Sequence, residues 1–538
     1  MNWIPHHLPF EQTGYFSPLI TDYLKEVKAL QPFYAHPVTR EGIQASIAAR
    51  KQAPVNRSVL VEVLREQYRD VADSATVRQN IDKLLDENTF TIVTAHQPAI
   101  FTGTLYFVYK ILHTIRLAEQ LSKEQPENHF VPVFYMGSED ADLDELGNIF
   151  MGGERLVWET KQKGAVGRMK PKGLEKILVR IEGELAVLPF GPELVSMLKE
   201  IYLESPNIQV ATLQLIHRLF GAYGIVVLIP DHGSLKSLMQ GIFEEDLFEN
   251  TPSELVNGTI KEFPANYKVQ ANPRAINLFY LKDDLRGRIE RVGHEFVVHD
   301  SDIRFDEAGI REELRAFPER FSPNVILRGL FQETILPNIA FIGGGGETAY
   351  WLELKGLFDH YKVPFPVLIL RNSFLLIEQK WKEKLDHTQL SIHDIFRSQE
   401  TLVNELVRRE SNQQLSLETE LADAESYYGK LKTLAGSVDP TLGQHVAALH
   451  AKALQPLKEL EKKLLKAERR KFGDQQRQIH AIKTGLFPRN NLQERIDNFM
   501  PWYAQRGPQF ITDLYKYSPG LPPQFIVLSE EASDRLFL

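Results

Sequence analysis

Over the first two-thirds of the chain, short apolar runs alternate with stretches in which apolar residues recur at helical spacing. Phe90–Ala95 (FTIVTA), Phe130–Met136 (FVPVFYM), Ile225–Ile229 (IVVLI), Ala340–Ile342 (AFI) and Pro366–Leu370 (PVLIL) are free of charge and mostly followed by Gly, Pro or polar residues, which predicts buried strands. Between the first two, Leu105, Val108, Leu112 and Ile115 stand three, four and three apart, one apolar stripe on a helix from about Thr104 to Leu121. Strand, helix and strand at this spacing make a βαβ unit, so the pattern predicts an α/β, Rossmann-like fold with a doubly wound parallel sheet.

Two stretches break the rhythm. Residues 151–205 carry Gly152-Gly153, the Lys/Gly-rich KQKGAVGRMKPKG and one amphipathic helix; residues 245–320 hold a hairpin with NLFYLKDD and RIERVGHEFVVHD as its arms. Both read as insertions into a core made of residues 1–150, 206–244 and 321–378. From 379 to 484 glycine becomes sparse and charge dense, and Leu457/Leu464 and Leu460/Ala467 keep heptad spacing, which predicts a helical coiled-coil domain. Pro456 is expected to kink or break its helix, since it removes a donor and crowds the preceding turn. A long helical hairpin needs something to pack on, and a second copy is the expected object. The segment 485–538, with FMPWYAQRGPQF, is expected to fold back on the sheet.

Composition narrows the function. The chain has 538 residues, 62 basic against 71 acidic, a net charge of −9. That argues against a general nucleic-acid binder, which needs a basic face. With no cysteine, a disulfide scaffold, a thiolate zinc site and a catalytic thiol are all excluded. No apolar run approaches the length of a membrane span, and the opening residues show no secretory pattern. A cytoplasmic protein with small-molecule partners, and with neither nucleic acid nor membrane, is expected. The sixteen histidines show no metal-ligand spacing.

Ligands of open α/β sheets bind beyond the carboxyl ends of the strands, and three segments fall there. In the first, His96, Gln97, Thr102, Gly103 and Tyr106 run from strand end to helix start, where free N–H groups and the helix dipole suit an anion; a capped turn is the plain alternative. In the second, Glu139, Asp140, Asp142, Asp144 and Glu145 place five carboxylates in seven residues, which calls for a cation nearby. The Asp spacing imitates a calcium loop, but the turn glycine and the closing glutamate are missing; a solvated loop is the alternative. In the third, Gly343–Gly346 and Glu347 precede a helix containing Tyr350 and Trp351, with amides able to cradle an anion or to act as a hinge. Arg371 and Arg328 could clamp an anion or serve as structural ion-pair partners.

These segments in this order, HQPAIFTGTLY, SEDADLDEL, RGLFQETILPNIAFIGGGGETAYWLELK, PVLILRNSF and ERIDNFMPWYAQRGPQF, resemble the cysteine-ligase family of bacillithiol biosynthesis, essentially from end to end. The resemblance implies a Rossmann-type core, two connecting-peptide insertions, a coiled coil used for homodimerisation, and the addition of L-cysteine to glucosaminyl-malate. It implies a pocket lined by Gln97, Thr102, Gly103 and Tyr106; by Glu139, Asp140, Asp142 and Asp144; and by Gln332, Gly343, Gly345, Glu347, Tyr350, Trp351 and Arg371. Two departures stand out: Ala95-His96 where Gly-Gln is the pattern, and extra glycine at Gly344 and Gly346. The fold also resembles class I aminoacyl-tRNA synthetases, although Phe101 and Thr104 stand where the signature has histidines.

Amide formation from a carboxylate needs activation, so ATP with Mg²⁺ is the expected cosubstrate, and the attacking amine needs a base. Asp140 or Asp142 is the expected base or ammonium partner, with Arg371 gripping the malate carboxylates. Nucleotidyl transfer to another acceptor and a non-enzymatic dimeric scaffold are the competing readings.

Overall fold

The computed structural model describes residues 3–72 and 74–531; the last part of the 485–538 segment, 532–538, lies outside the described residues. The core sheet has five strands: β1 (Thr89–His96), β2 (His129–Met136), β3 (Val226–Leu228), β4 (Asn338–Gly343) and β5 (Val367–Leu370). These are the five apolar runs read from the sequence. They lie in the order β5-β4-β1-β2-β3, every neighbouring pair parallel. Helix α1 (Leu105–Glu124) makes the first crossover and buries Leu105, Val108, Leu112 and Ile115, the predicted stripe. The chain leaves β1 toward β2 on one side and returns on the other as β4. The topological switch point therefore falls between β1 and β4, where a crevice opens at the strands' carboxyl ends.

Both interruptions build separate structure. The first contains the antiparallel pair Asn148–Met151 and Glu154–Val157 and helices Glu175–Leu185 and Gly191–Glu204. The second carries helices Thr251–Glu262 and Glu307–Ala316 and four strands of an antiparallel sheet completed by Phe321–Pro323, in which Leu278–Lys282 pairs with Leu285–Val292 as a hairpin. The aromatic C-terminal stretch forms helices Met500–Arg506 and Pro508–Tyr517 within the same compact unit as the core, which comprises Pro5–Leu375 and Asn491–Leu528.

The other unit is centred on Leu376–Asn490. Its longest helices, α3 (Glu418–Val438) and α4 (Pro440–Arg469), are joined by Asp439 alone, whose carboxylate accepts the Thr441 N–H and caps α4. Pro456 does not break α4, contrary to the expectation. It sits on the exposed side, where water can satisfy the carbonyl left without a donor.

Candidate functional site

A cavity of about 680 Å³ lies at the switch point. From the end of β1 come Ala95, His96 and Gln97; from β2 and its loop, Tyr135, Gly137, Asp140 and Glu145; from the turn after β4, Gly344, Gly345, Gly346, Glu347 and Tyr350. Arg371 follows β5, Tyr106 comes from α1, and Phe279 and Arg286 come from the second insertion. Asn324, Val325 and Arg328 stand at the start of helix Val325–Ile335, and Arg495 belongs to the C-terminal segment.

The path from β1 into α1 is bent sharply. Phe101, Thr102 and Gly103 all have positive φ (49°, 65° and 63°), costly for the two non-glycine residues. Outside partners hold the bend: the Tyr202 hydroxyl accepts the Phe101 N–H, and Asn498 donates to the carbonyls of Phe101 (2.8 Å) and Gly103 (2.6 Å). Thr104 occupies the N-cap position of α1 without a capping bond from its side chain. Beyond the bend, α1 carries Tyr106 and Lys110 to the cavity's edge.

His96 Nδ1 lies 2.8 Å from the Gln97 carbonyl, which can only accept, so the proton is on Nδ1 and Nε2 accepts the Tyr106 hydroxyl at 3.0 Å. Burial, reinforced by the nearby Lys110 ammonium, pushes the imidazole down to about 4 and keeps it neutral. Lys110 is itself buried. It donates to the Ala95 carbonyl and to Glu347 Oε2 (2.6 Å), while the same oxygen of Glu347 accepts the Gly344 N–H at 2.7 Å. Burial holds the Lys110 ammonium below its ordinary range despite that carboxylate.

Asp140 is gripped from two sides. Arg328 forks onto both its oxygens, with Nη1–Oδ2 at 2.8 Å, and Arg286 Nη2 stands 3.4 Å from Oδ1. Burial alone would raise this carboxyl, but the guanidiniums reverse that and hold it below the usual range. Arg371 is likewise engaged. It donates to Glu494 Oε1 (2.7 Å), to the Ser373 hydroxyl and to the Asn372 carbonyl, and its guanidinium lies 5.0 Å from the centre of the Tyr106 ring.

Of the residues expected to line the pocket, His96, Gln97, Tyr106, Asp140, Gly345, Glu347, Tyr350 and Arg371 come together. The others do not, each for its own reason. Asp142 is exposed, and its Oδ1 caps the short helix Leu143–Leu146 by accepting the Glu145 N–H. Asp144 is exposed, and its backbone carbonyl, not its carboxylate, is engaged, by Arg155 and Asn148. Glu139 points to the opposite side of its loop, into a buried cluster in which Lys236 Nζ bonds Glu139, Asp231 (3.3 Å) and the Glu319 carbonyl, and Arg168 forks onto Asp231. Thr102 is fully buried in the strained bend, and Gly103 belongs to the same bend. Gln332 is tied to Glu333, Gly343 completes β4, and Trp351 stacks on Phe341 in the core at 4.7 Å. Arg371 lines the cavity with its charge already answered by Glu494 and with Nη1 bonded to Ser373 and Asn372, so it is not an unpaired cation there.

Tyr135, Phe279, Asn324, Val325, Arg286 and Arg495 were not foreseen. A guanidinium on an antiparallel arm or a C-terminal turn carries no local sequence signal. The repulsion among the loop carboxylates did predict a cation nearby, and Arg286 and Arg328 supply it.

Comparison with known proteins covers both units. The model of the "Bacillithiol biosynthesis BshC, N-terminal Rossmann-like domain" matches residues 4–372, and that of the "C-terminal coiled-coil domain" matches residues 374–530. The chain is 38% identical over 524 residues to "Putative cysteine ligase BshC" of Flavobacterium johnsoniae, covering 97% of this chain and 99% of the relative. It is 38% identical over 502 residues to the protein of that name in Cytophaga hutchinsonii (93% and 94% covered), and 29% over 523 residues to the one in Salinibacter ruber (95% of each). The parallel sheet, the helical unit and these matches agree, and the chain belongs to the BshC family of bacillithiol biosynthesis.

Proposed function

We propose that this protein is a cysteine ligase that joins the carboxylate of L-cysteine to the amine of glucosaminyl-malate, giving bacillithiol. The observation that carries the reading is the switch-point cavity: the five segments on which the resemblance rests converge there, and its walls present both signs of charge to substrates that carry both.

The chain's own groups set the chemistry. Asp140, held between Arg328 and Arg286, is a poor proton acceptor and serves to fix those two guanidiniums. The Tyr106 hydroxyl, whose proton is directed to His96 Nε2, offers its oxygen lone pairs to an incoming amine N–H. As the amide forms, the amine's proton leaves by way of the Tyr106 oxygen to water in the open cavity, while His96, kept neutral by burial and Lys110, orients the phenol. ATP with Mg²⁺ fits as the activating cosubstrate. The glycine turn at Gly345 and Gly346 opens α2 (Gly345–Leu352), and a Cβ at Gly346 would meet nothing within 4 Å, so backbone amides there can approach anionic groups. ATP would supply the leaving group that a free carboxylate lacks. Among the described residues no cluster of three carboxylates or histidines stands ready for a metal, so Mg²⁺ would arrive largely coordinated by phosphate and water.

The helical hairpin supports a homodimer. Among the described residues α3 buries none, and α4 buries only Gly443 and Glu468. Tyr427 and Leu434, seven apart, are 60% and 66% exposed; Leu442 and Leu449, also seven apart, are each 44% exposed. That is a heptad seam awaiting a partner helix.

The experiment is a mass-resolved assay of the purified chain with ATP, Mg²⁺, L-cysteine and glucosaminyl-malate. Bacillithiol is the expected product. ATP–pyrophosphate exchange stimulated equally by other amino acids, without bacillithiol, would favour nucleotidyl transfer to a different acceptor. Sedimentation of a Leu434→Asp, Leu449→Asp variant is expected to shift dimer to monomer.

A further inference from the structure

Most charges lining the cavity are already answered. Asp140 has Arg328 and Arg286, Glu347 has Lys110, and Arg371 has Glu494. Two are not. Among the described residues the Arg495 guanidinium forms no ion pair; its hydrogen bond is a long one, 3.5 Å from Nη2 to the Tyr15 carbonyl, and it lies 5.8 Å from the centre of the Phe16 ring. Among the described residues the Glu145 carboxylate likewise pairs with no cation and accepts no hydrogen bond; its backbone N–H and carbonyl are engaged. One unanswered cation and one unanswered anion thus open into the same cavity.

Both are held at a cost that a ligand would relieve. Arg495 is half-buried. Lost hydration and the neighbouring Arg371 act against its charge, and the carboxylate that favours it, Glu494, is already bonded to Arg371. Glu145 is exposed at the cavity's rim, and partial desolvation together with the nearby Asp142 and Asp140 raises its carboxyl. An anion beside Arg495 would replace lost water with a charge-assisted hydrogen bond, and a cation beside Glu145 would answer the repulsion from Asp142 and Asp140.

Arg495 is also well placed to receive a ligand without rearranging. The residue before it, Glu494, is buried and accepts from Arg371 (2.7 Å), the Ser373 hydroxyl (3.1 Å) and the Phe374 N–H (3.3 Å). Two residues after it, the Asp497 carbonyl accepts the Leu105 N–H at 2.8 Å, and Asn498 clamps the bend before α1. The backbone on either side is therefore fixed to the sheet edge and to the start of α1, and little ordering remains to be done on binding.

We propose that Arg495 receives a carboxylate of the substrate and that Glu145 receives its amine, so that the cavity selects small molecules bearing both groups. The assignment rests on the ligase reading for the identity of those molecules, since L-cysteine and glucosaminyl-malate each carry a carboxylate and an amine. It moves the anion-gripping role from Arg371, whose charge is paired with Glu494, to a residue in the C-terminal segment whose charge is not.

Ligands that carry one charge each separate the two seats. Calorimetric titration would use the full chain with L-malate, which has carboxylates and no amine, and methyl glucosaminide, which has an amine and no carboxylate. L-Cysteine and glucosaminyl-malate follow. Arg495→Ala is expected to weaken L-malate by about 10–100-fold and leave methyl glucosaminide unchanged, with Arg495→Lys intermediate. Glu145→Gln should do the reverse. Whichever of L-cysteine and glucosaminyl-malate loses affinity in Arg495→Ala is the substrate whose carboxylate sits there. Thermal unfolding checks that each variant is folded, and Arg495→Gln replaces the alanine variant if that one is not. Wild-type protein that binds no L-malate, or an Arg495→Ala protein that binds every carboxylate as wild type does, overturns the proposal. If the wild type makes bacillithiol and the KM values of Arg495→Ala are unchanged, the seat fails and the ligase reading stands. If L-malate binding depends on Arg495 but no bacillithiol forms, the seat stands and the ligase reading fails.

Discussion

Asp140 and Asp142 lie two residues apart on one loop, yet the two halves of that loop are built on different principles. The first half, Ser138 to Asp140, is fixed from several directions. The Gly167 N–H bonds the Ser138 carbonyl and the Val166 N–H the Asp140 carbonyl, Lys236 takes Glu139, and Arg328 and Arg286 take Asp140. In the second half, among the described residues, no carboxylate meets a cation: Asp142 and Asp144 face solvent, Asp142 capping its own helix, and Glu145 reaches the cavity's rim unpaired. Position next to a strand end did not decide which carboxylate enters the cavity. Partners decided which carboxylates are buried, Lys236 and Arg328 from the core and Arg286 from the second insertion, because a buried charge persists only where others answer it.

The comparison can be broken most directly at Lys236. Lys236→Met strands Glu139 in the interior and leaves Asp231 to Arg168 alone, and denaturant unfolding should show a loss of about 3–5 kcal/mol; adding Glu139→Gln should recover part of it. Asp140→Asn comes next. It keeps the shape but leaves Arg328 and Arg286 without their shared anion, and bacillithiol formation should fall by about 10²-fold, while Asp142→Asn stays near wild type. Equal losses in the two variants would refute the division of the loop.

A third test uses pH. His96 is held down to about 4 against 6.5 for an unburied histidine. Between those values the unfolded chain binds the extra proton and the folded chain does not. The contribution of this histidine is therefore complete above about pH 6.5 and is lost as pH falls toward 4. The stability advantage of wild type over His96→Gln should shrink across that window by on the order of 1–3 kcal/mol. Glu333 and Asp246, both raised to about 7 by burial, run the opposite way in both proteins and cancel in the difference. The smallest effect is expected of Asp142→Ala: roughly 1 kcal/mol or less from the lost helix cap, with turnover unchanged.

The sheet was legible because its strands are buried on both faces and so read as charge-free runs, and α1 because its stripe keeps a strict period. Both insertions showed as breaks in that rhythm. The site was legible only where it borders those elements: His96, Gln97, Glu347 and Tyr350 follow or adjoin strand ends. Arg286 and Arg495 reach the cavity from an antiparallel arm and a C-terminal turn, and no local pattern marks which surface arginine will be folded inward. Asp142 misled because a count of carboxylates carries no direction; the turn at Ala141 sends its side chain to solvent. Trp351 misled because its neighbour Tyr350 does face the cavity, and adjacent helix positions point about 100° apart.

The bond between Arg371 and Glu494 spans 123 residues, and the whole stretch Leu376–Asn490 is translated between its two ends. At about 5–20 residues per second a ribosome needs on the order of 6–25 s to cover that gap. During this time the five core strands are already available, yet the crevice lacks the segment that neutralises Arg371 and carries Arg495. The nascent protein therefore passes through a stage with its sheet complete and its cavity unfinished. Competence to bind arrives as a late event in synthesis, only after the helical unit has been made.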